Sequence, residues 1–194
     1  MRHAASYGVV ALAVVALGTG AAMAGDFKVC KSTYALCTTA KCTAEPGNAD
    51  TATCACEVRT GFSVGQQPCE ASKKTKKGTA IVSRYFPIKS YAQCVNNRPW
   101  AWCLDKPCVV DKDDPTKASC TCSVVDNKGD YVMVTDSYTA ETCTIGLWSS
   151  ATIAQLDDVS TFIKTHGDLL PHFPLKPLNA DADTLGSMTP SSAK

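Results

Sequence analysis

The chain lacks several features that would point to a familiar class of protein. It has no C-x-x-C pair, which excludes a thioredoxin-type redox motif and c-type haem attachment. It has only three histidines and four methionines, so few metal ligands exist outside the cysteines. It also lacks an excess charge: without Arg2, 18 Lys and Arg face 18 Asp and Glu. A neutral chain does not favour nucleic acid or an anionic membrane as a partner.

Long hydrophobic runs are missing after the first 25 residues. Arg2 and His3 precede an uncharged apolar run at residues 8–17, and small residues follow up to Ala24. This order is typical of a secretory signal peptide, so we expect residues 1–24 to be removed on export. The expected location is the periplasm or the cell surface and extracellular space, with no transmembrane segment after cleavage.

Cysteine is the abundant residue, and its spacing repeats. The first frame reads C-x6-C-x4-C-x11-C-x-C-x12-C and the second C-x8-C-x4-C-x11-C-x-C-x20-C, with the central four cysteines offset by 66 residues. An even count in an exported chain predicts a disulfide framework. The twelve cysteines are Cys30, Cys37, Cys42, Cys54, Cys56, Cys69, Cys94, Cys103, Cys108, Cys120, Cys122 and Cys143.

Each frame leaves fifteen possible connectivities open. The stretch between Cys42 and Cys54 contains Glu-Pro-Gly-Asn, and the equivalent stretch between Cys108 and Cys120 contains Asp-Lys-Asp-Asp-Pro. Both are rich in turn residues and flanked by β-compatible runs, which predicts a hairpin. We therefore predict a cross-strand Cys42–Cys54 disulfide, with Cys108–Cys120 as its twin.

The predicted fold is mainly β, small and disulfide-rich: two tandem six-cysteine repeats of short strands and hairpins, with one C-terminal α-helix. A repeat of about 60 residues buries too little apolar surface to be stable alone, so disulfides supply the difference. Strands are expected at residues 55–58, 121–125 and 131–135. The last is expected to pair with its predecessor across a turn at 126–130.

The clearest helical pattern covers residues 150–166. Ile153, Leu156, Val159 and Ile163 fall on one stripe, Ser149 or Ser150 can cap the helix, and Gly167 can end it. The organisation predicted for the chain is a signal peptide at 1–24, repeat 1 with a basic linker at 25–93, repeat 2 at 94–148, an amphipathic helix at 149–170, and a flexible proline-containing tail at 171–194.

The six-cysteine frame has a Tyr34-Ala35-Leu36-Cys37 entry and a C-x-C strand. Over residues 30–150 this frame resembles uncharacterised cysteine-rich secreted proteins of proteobacteria. That resemblance implies no function. The frame differs from the Kazal, WAP and EGF frameworks.

Two chemical patterns have simpler explanations. Residues 61–65 read G-x-S-x-G around Ser63, but the apolar helix that a nucleophile elbow requires does not follow. C-x-C pairs can hold Cu or Zn as thiolates, yet disulfides are the better use of cysteines in an oxidising compartment. We therefore expect no catalytic residue, no metal and no cofactor.

Three groups of residues are candidates for a binding surface. The lysines form a basic cluster in the linker, and the aspartates occupy a turn in repeat 2. The two tryptophans align with Tyr34 and Leu36 of repeat 1, which favours packing around the cysteines over ligand contact. The candidates are Lys73, Lys74, Lys76, Lys77, Asp111, Asp113, Asp114, Trp100 and Trp102.

Together these patterns predict an exported, non-enzymatic binding or structural module. Loops held by disulfides can bind a partner at little entropic cost, which favours a role in recognition. The expected partner is a protein or an envelope or glycan component. Three alternatives stay open: a double-headed protease inhibitor, a thiolate protein for Cu or Zn, and a small serine hydrolase that uses Ser63.

Overall fold

A computed structural model describes residues 26–87, 89–139 and 141–179. These residues form a nine-stranded sheet, a three-stranded sheet and one α-helix, which confirms the prediction of a mainly β, disulfide-rich chain with a C-terminal helix. The elements are β1 (Lys28–Leu36), β2 (Lys41–Glu45), β3 (Asn48–Gly65), β4 (Lys73–Thr75), β5 (Gly78–Val82), β6 (Ser90–Cys94), β7 (Trp100–Trp102), β8 (Pro107–Val110), β9 (Lys117–Val125), β10 (Tyr131–Val134), β11 (Leu147–Trp148), α1 (Ile153–Lys164) and β12 (Lys176–Pro177).

The two C-x-C segments lie on the central strands β3 and β9. In β3, Ala52, Cys54 and Cys56 are buried while Ala55 between them is exposed, as expected for the two-residue period of a strand. The β2–β3 hairpin turns at Gly47, whose positive φ of 78° is a conformation that glycine adopts without strain. The cysteines therefore face the core from both central strands.

The two repeats are related by an approximate two-fold axis between β3 and β9. These strands are antiparallel, and their register places Cys54 opposite Cys120. The two cysteines differ by the same 66 residues that separate the repeats, so equivalent residues face each other. The path of the sheet runs β11-β2-β3-β9-β8-β5-β4, while β1 pairs with β3 and β7 with β9.

The repeats exchange their last strands. β5 of repeat 1 pairs with β8 of repeat 2, with Ile81 opposite Cys108, and β11 of repeat 2 pairs with β2 of repeat 1, with Leu147 opposite Cys42. The two pairings are equivalent at the offset of 66. Each repeat therefore completes the sheet of the other, and the two share one hydrophobic core that contains eight of the cysteines.

The predicted pairing of residues 131–135 with the preceding strand is wrong. β10 pairs with β6, and Tyr131 lies opposite Cys94. Two loops, at 95–99 and 126–130, separate β6–β10 from β7–β9. The Asn97 side chain bridges them, since it donates to Asn127 and accepts from the Gly129 amide. Residues 126–130 therefore connect β9 to β10 as a loop, and these two strands do not form a hairpin with each other.

The helix is shorter at both ends than its pattern predicted. Thr152 is the N-cap and forms a reciprocal capping box with Gln155. Ser149 and Ser150 do not cap it, because their amides are bonded to Ala40 and Ala101 in extended backbone. At the other end the helix stops at Thr165, before Gly167.

The helix packs on both repeats. Val159 and Ile163 are buried in one cluster with Val64 of repeat 1. Leu156 is buried in another cluster with Val132 and Val134 of repeat 2. The predicted apolar stripe therefore joins the repeats on one side of the pseudo-two-fold axis.

The first part of the expected flexible tail is held against the protein. β12 lies parallel to β6, and the Asn179 side chain both donates to the Gln93 carbonyl and accepts from its amide. Proline can occupy this position because β12 is an edge strand. Residues 180–194 of the expected tail, and the signal peptide expected at 1–24, lie outside the described residues.

Candidate functional site

All twelve cysteines form disulfides, and both repeats use the same nested order: first with sixth, second with fifth, third with fourth. The predicted Cys42–Cys54 and Cys108–Cys120 bridges are confirmed. The equal spacing of the inner four cysteines explains the equal pairing. The remaining disulfides are Cys30–Cys69, Cys37–Cys56, Cys94–Cys143 and Cys103–Cys122.

Four of the disulfides pack together at the pseudo-two-fold axis. The sulfur atoms of Cys37, Cys103 and Cys122 all lie within 4.8 Å of one another. This closeness resembles a thiolate metal cluster, but no cysteine of the chain is free. Because a metal needs thiolate ligands, the oxidised protein offers no cysteine ligand at this cluster.

The basic cluster lies on an edge hairpin. Lys73 and Lys74 are in β4, while Lys76 and Lys77 lie in the turn before β5, and all four side chains are exposed. Lys73 makes an exposed ion pair with Glu70 at 3.7 Å. The other three lysines form no salt bridge with any residue that the structure describes. Charge on an edge strand also protects the sheet from pairing with other chains.

An apolar groove runs below this hairpin. Its space is about 490 Å³, and its floor includes Ile81, Val82, Pro107 and Val109. Lys73, Lys76 and Lys77 line the rim, whereas Lys74 does not line the groove. Long lysine side chains can cover an apolar surface with their stems while their ammonium groups stay in water. We call this feature the lysine groove.

The acidic turn lies beside the lysine hairpin. β5 is antiparallel to β8 with Ala80 opposite Val109, so the turn before β5 and the turn after β8 project from the same end of the sheet. Asp111 accepts hydrogen bonds from the amides of Asp113 and Asp114. Its carboxylate therefore stabilises the turn, as is common for aspartate.

Asp114 has a similar structural role. Its carboxylate accepts hydrogen bonds from the hydroxyl and the amide of Thr116. The side-chain hydrogen bond from Thr116, and then the backbone one, lower the pKa of Asp114 below its usual value. The lowered pKa keeps Asp114 ionised at neutral pH, so it places a negative charge beside the lysine hairpin.

The two candidate tryptophans, Trp100 and Trp102, do not form an exposed binding surface. Trp100 is only 3% exposed, stacks on Tyr131 at 6.2 Å and meets Trp102 edge to face at 6.4 Å. Its counterpart in repeat 1, Tyr34, is also buried. The candidate binding role of Trp100 is therefore wrong, and the packing role that the alignment favoured is the one observed; Trp102 is half-buried.

Ser63 lies in the middle of a strand. It is fully buried in β3, opposite Cys30, and the nearest partner of its hydroxyl is the Cys30 carbonyl at 3.5 Å. A nucleophile elbow requires a strand-to-helix turn with an exposed hydroxyl. Residues 61–65 provide neither of these.

Sequence reasoning missed a buried ion pair between the repeats. Arg84 and Asp105 lie 2.8 Å apart, with side chains only 4% and 8% exposed. Asp105 also accepts from the amides of Gln66 and Gln67, and a methyl group at Gly65 would overlap both charged groups. The only sequence signal was a single arginine within the apolar run at residues 80–88.

No helix among the residues that the structure describes is long and apolar enough to cross a membrane. Comparison with models of protein families, with curated proteins and with solved structures finds no match to this chain.

Proposed function

We propose that the chain is an exported, non-enzymatic binding module that recognises an acidic polysaccharide through the lysine groove. The observation that carries the proposal is the position of Lys76 and Lys77. Both lie at the tip of a hairpin, are exposed, and form no salt bridge with any described residue, beside the apolar residues of the groove. Sugar rings offer apolar faces and acidic groups together, which matches this combination.

The scaffold supports recognition because it holds the hairpin in place. β5 pairs with β8, whose Cys108 is stapled to Cys120 in the centre of the sheet. The Cys30–Cys69 disulfide anchors the chain shortly before β4. A partner that binds here does not need to order the loop first, so less of the binding free energy is lost to entropy.

Electrostatics act locally in this protein. Without Arg2 the chain has no net charge, and charges separated by more than about 8 Å are largely screened at physiological ionic strength. A polyanion therefore responds to the lysine cluster itself. The acidic turn at residues 111–114 projects from the same end of the sheet as the lysine hairpin, so it disfavours a negatively charged chain on that side.

Export is supported by the same features that stabilise the fold. Six disulfides persist in an oxidising compartment and would be reduced in most cytosols. The signal-like order of residues 2–24 agrees with that destination. A periplasmic or cell-surface location would place acidic glycans within reach.

The test compares dextran sulfate with neutral dextran of the same length, by titration calorimetry at low and physiological salt. We expect binding of dextran sulfate alone, weakened by salt. The Lys76→Ala/Lys77→Ala double variant should reduce affinity at least tenfold, and the matched Lys128→Ala/Lys164→Ala variant, at two exposed lysines outside the lysine groove, should leave it unchanged. Equal losses in both variants, or no binding of dextran sulfate, would contradict the proposal.

A further inference from the structure

A second cavity lies between the repeats and next to α1, separate from the lysine groove. Its volume is about 190 Å³. The two repeats contribute equivalent residues to its wall: Cys37 and Cys103, and Arg84 and Ser150, each pair differing by 66 positions. The cavity therefore lies near the pseudo-two-fold axis, where the exchanged strands leave the sheet.

The two repeats differ in side chain at this cavity, where Arg84 of repeat 1 corresponds to Ser150 of repeat 2. Arg84 and Ser150 have equivalent backbone hydrogen bonds, from their amides to the carbonyls of Ala35 and Ala101, each 2.9 Å long. Their side chains differ greatly in volume. A serine in place of a second arginine leaves space that α1 borders with Leu156 and Val159.

Two residues that line the cavity, Arg84 and Ser150, each have a buried polar atom without a hydrogen-bond partner among the described residues. Arg84 Nε and Ser150 Oγ make no hydrogen bond with any described residue, and the residues are 5% and 7% exposed. Leaving such atoms unpaired in a protein interior is unfavourable, because each has lost its hydrogen bonds to water. Buried polar groups are almost always paired, so two orphans on one cavity indicate a place for a ligand's polar atom.

The charge of the cavity is balanced. The Arg84 guanidinium is neutralised by Asp105, and the only other charged lining residue is Asp158, which is exposed. Burial raises the pKa of the Tyr85 phenol, so this lining side chain is neutral at physiological pH. An anionic ligand would find no free positive charge, and a cation would find only the exposed carboxylate.

The size and the remaining wall limit the ligand further. Trp102, Leu104, Val134 and Val159 provide apolar contacts. A cavity of about 150 Å³ holds one benzene, so this one, which is open to solvent on one side, has room for roughly eight non-hydrogen atoms. Its lining includes the exposed residues Gln66 and Asp158, so the cavity opens to solvent on that side.

We propose that this cavity binds a small neutral ring compound that carries one hydrogen-bond acceptor, such as an aryl ketone or a phenol. The ring fills the apolar space, and the acceptor takes the hydrogen of Arg84 Nε. Ser150 Oγ lies on the same wall and completes the polar contacts as donor or acceptor.

The test uses three probes of similar size on the oxidised protein. Acetophenone has a ring and a carbonyl, ethylbenzene lacks the acceptor, and benzoate adds a negative charge. Amide chemical shifts in ¹H–¹⁵N spectra report both affinity and location. We expect acetophenone to shift the amide signals of Leu104, Ser150 and Ala151. Ethylbenzene and benzoate should bind at least about tenfold more weakly than acetophenone.

Two variants sharpen the test. Ser150→Leu fills the cavity and should abolish the acetophenone shifts, whereas Ser119→Leu, on the exposed face of β9, should retain them. Intact disulfides by mass confirm that each variant is folded. The proposal is overturned if acetophenone shifts the amide signals of residues elsewhere, if it shifts no signal, or if ethylbenzene binds with the same affinity as acetophenone. Those outcomes are read on the unmodified chain, so misfolding of Ser150→Leu does not weaken the test.

Discussion

Repeat 1 and repeat 2 have the same disulfide order and different strands around it. In repeat 1, β1 and β3 pair without interruption from Lys28 to Leu36. In repeat 2 the equivalent ladder is divided into β6–β10 and β7–β9 by loops at 95–99 and 126–130. The comparison teaches that the inner cysteines set the fold, and that the outer strands can be cut and extended around them.

The repeats also differ in the side chains at the contact between them. Arg84 and Asp105 form a buried ion pair, and the equivalent positions in the other repeat are Ser150 and Thr39. Asp105 and Thr39 share a left-handed backbone, with φ of 55° and 56°. The same backbone arrangement therefore holds a buried ion pair in one repeat contact and two small neutral residues in the equivalent one.

The largest loss of stability should come from breaking the buried ion pair between Arg84 and Asp105. Asp105→Asn retains the size and suits the left-handed backbone, but it leaves the Arg84 charge buried without a counter-charge. We expect a loss of about 3–5 kcal/mol in the free energy of unfolding, measured by urea denaturation. Thr39→Asn at the equivalent position should stabilise the protein slightly, because asparagine tolerates positive φ better than a β-branched residue. Equal effects at both positions would refute the asymmetry.

The twin hairpin disulfides should behave alike. Cys42–Cys54 and Cys108–Cys120 both have a sequence separation of 12, so the chain-entropy cost of losing either is about 3 kcal/mol. We expect paired Cys→Ala variants of the two bridges to lower the free energy of unfolding by the same amount. Denaturation of both variants under non-reducing conditions measures this; a difference of more than about 1 kcal/mol would mean that the repeats are not energetically equivalent.

A smaller effect with opposite signs is expected at two buried serines. Ser83 accepts from the Lys106 amide and donates to the Cys103 carbonyl, so Ser83→Ala should destabilise the protein by about 1–3 kcal/mol. Ser150→Ala removes a hydroxyl without a partner and should stabilise it by about 1 kcal/mol. Thermal unfolding of both variants tests the pair, and destabilisation by Ser150→Ala would show that its hydroxyl is already satisfied.

The smallest effect concerns alkaline pH. Burial raises the pKa of the Tyr85 phenol, so above about pH 10 an unfolded chain releases this proton while the folded chain retains it. The stability that the neutral phenol contributes is present below that pH and is lost as the pH rises further. Tyr85→Phe should therefore lose less stability than the wild type between pH 9 and pH 11, whereas Tyr138→Phe, at an exposed tyrosine, should match the wild type. Urea midpoints at the two pH values measure the difference.

Local patterns predicted the two inner hairpins and the buried face of the helix. Turn residues between Cys42 and Cys54 favoured a cross-strand bridge, and the stripe at Leu156, Val159 and Ile163 predicted the buried face of α1. Both features depend on residues that lie close together in the chain. The binding candidates were less well predicted: the lysines are exposed as expected, but Trp100 is a core residue.

Features that depend on distant residues were missed. β10 pairs with β6, at the positions equivalent to Gly65 and Lys28 of repeat 1, and no local pattern shows a partner that lies 37 residues away. Thr152 caps the helix because Ser149 and Ser150 are already used in backbone pairing with the other parts of the sheet. Residues 176–179 are held by β6, although their composition alone favours disorder.

Cysteine spacing and turn residues predicted the duplication, the number of disulfides and the two inner hairpins, because both act over short distances in the chain. The exchange of strands between the repeats, the contact of Arg84 with Asp105 and the cavity between the repeats and α1 are visible only in the folded chain. These depend on how two similar halves pack around one axis, and a side chain's neighbours across that axis are set by packing and not by its place in the chain.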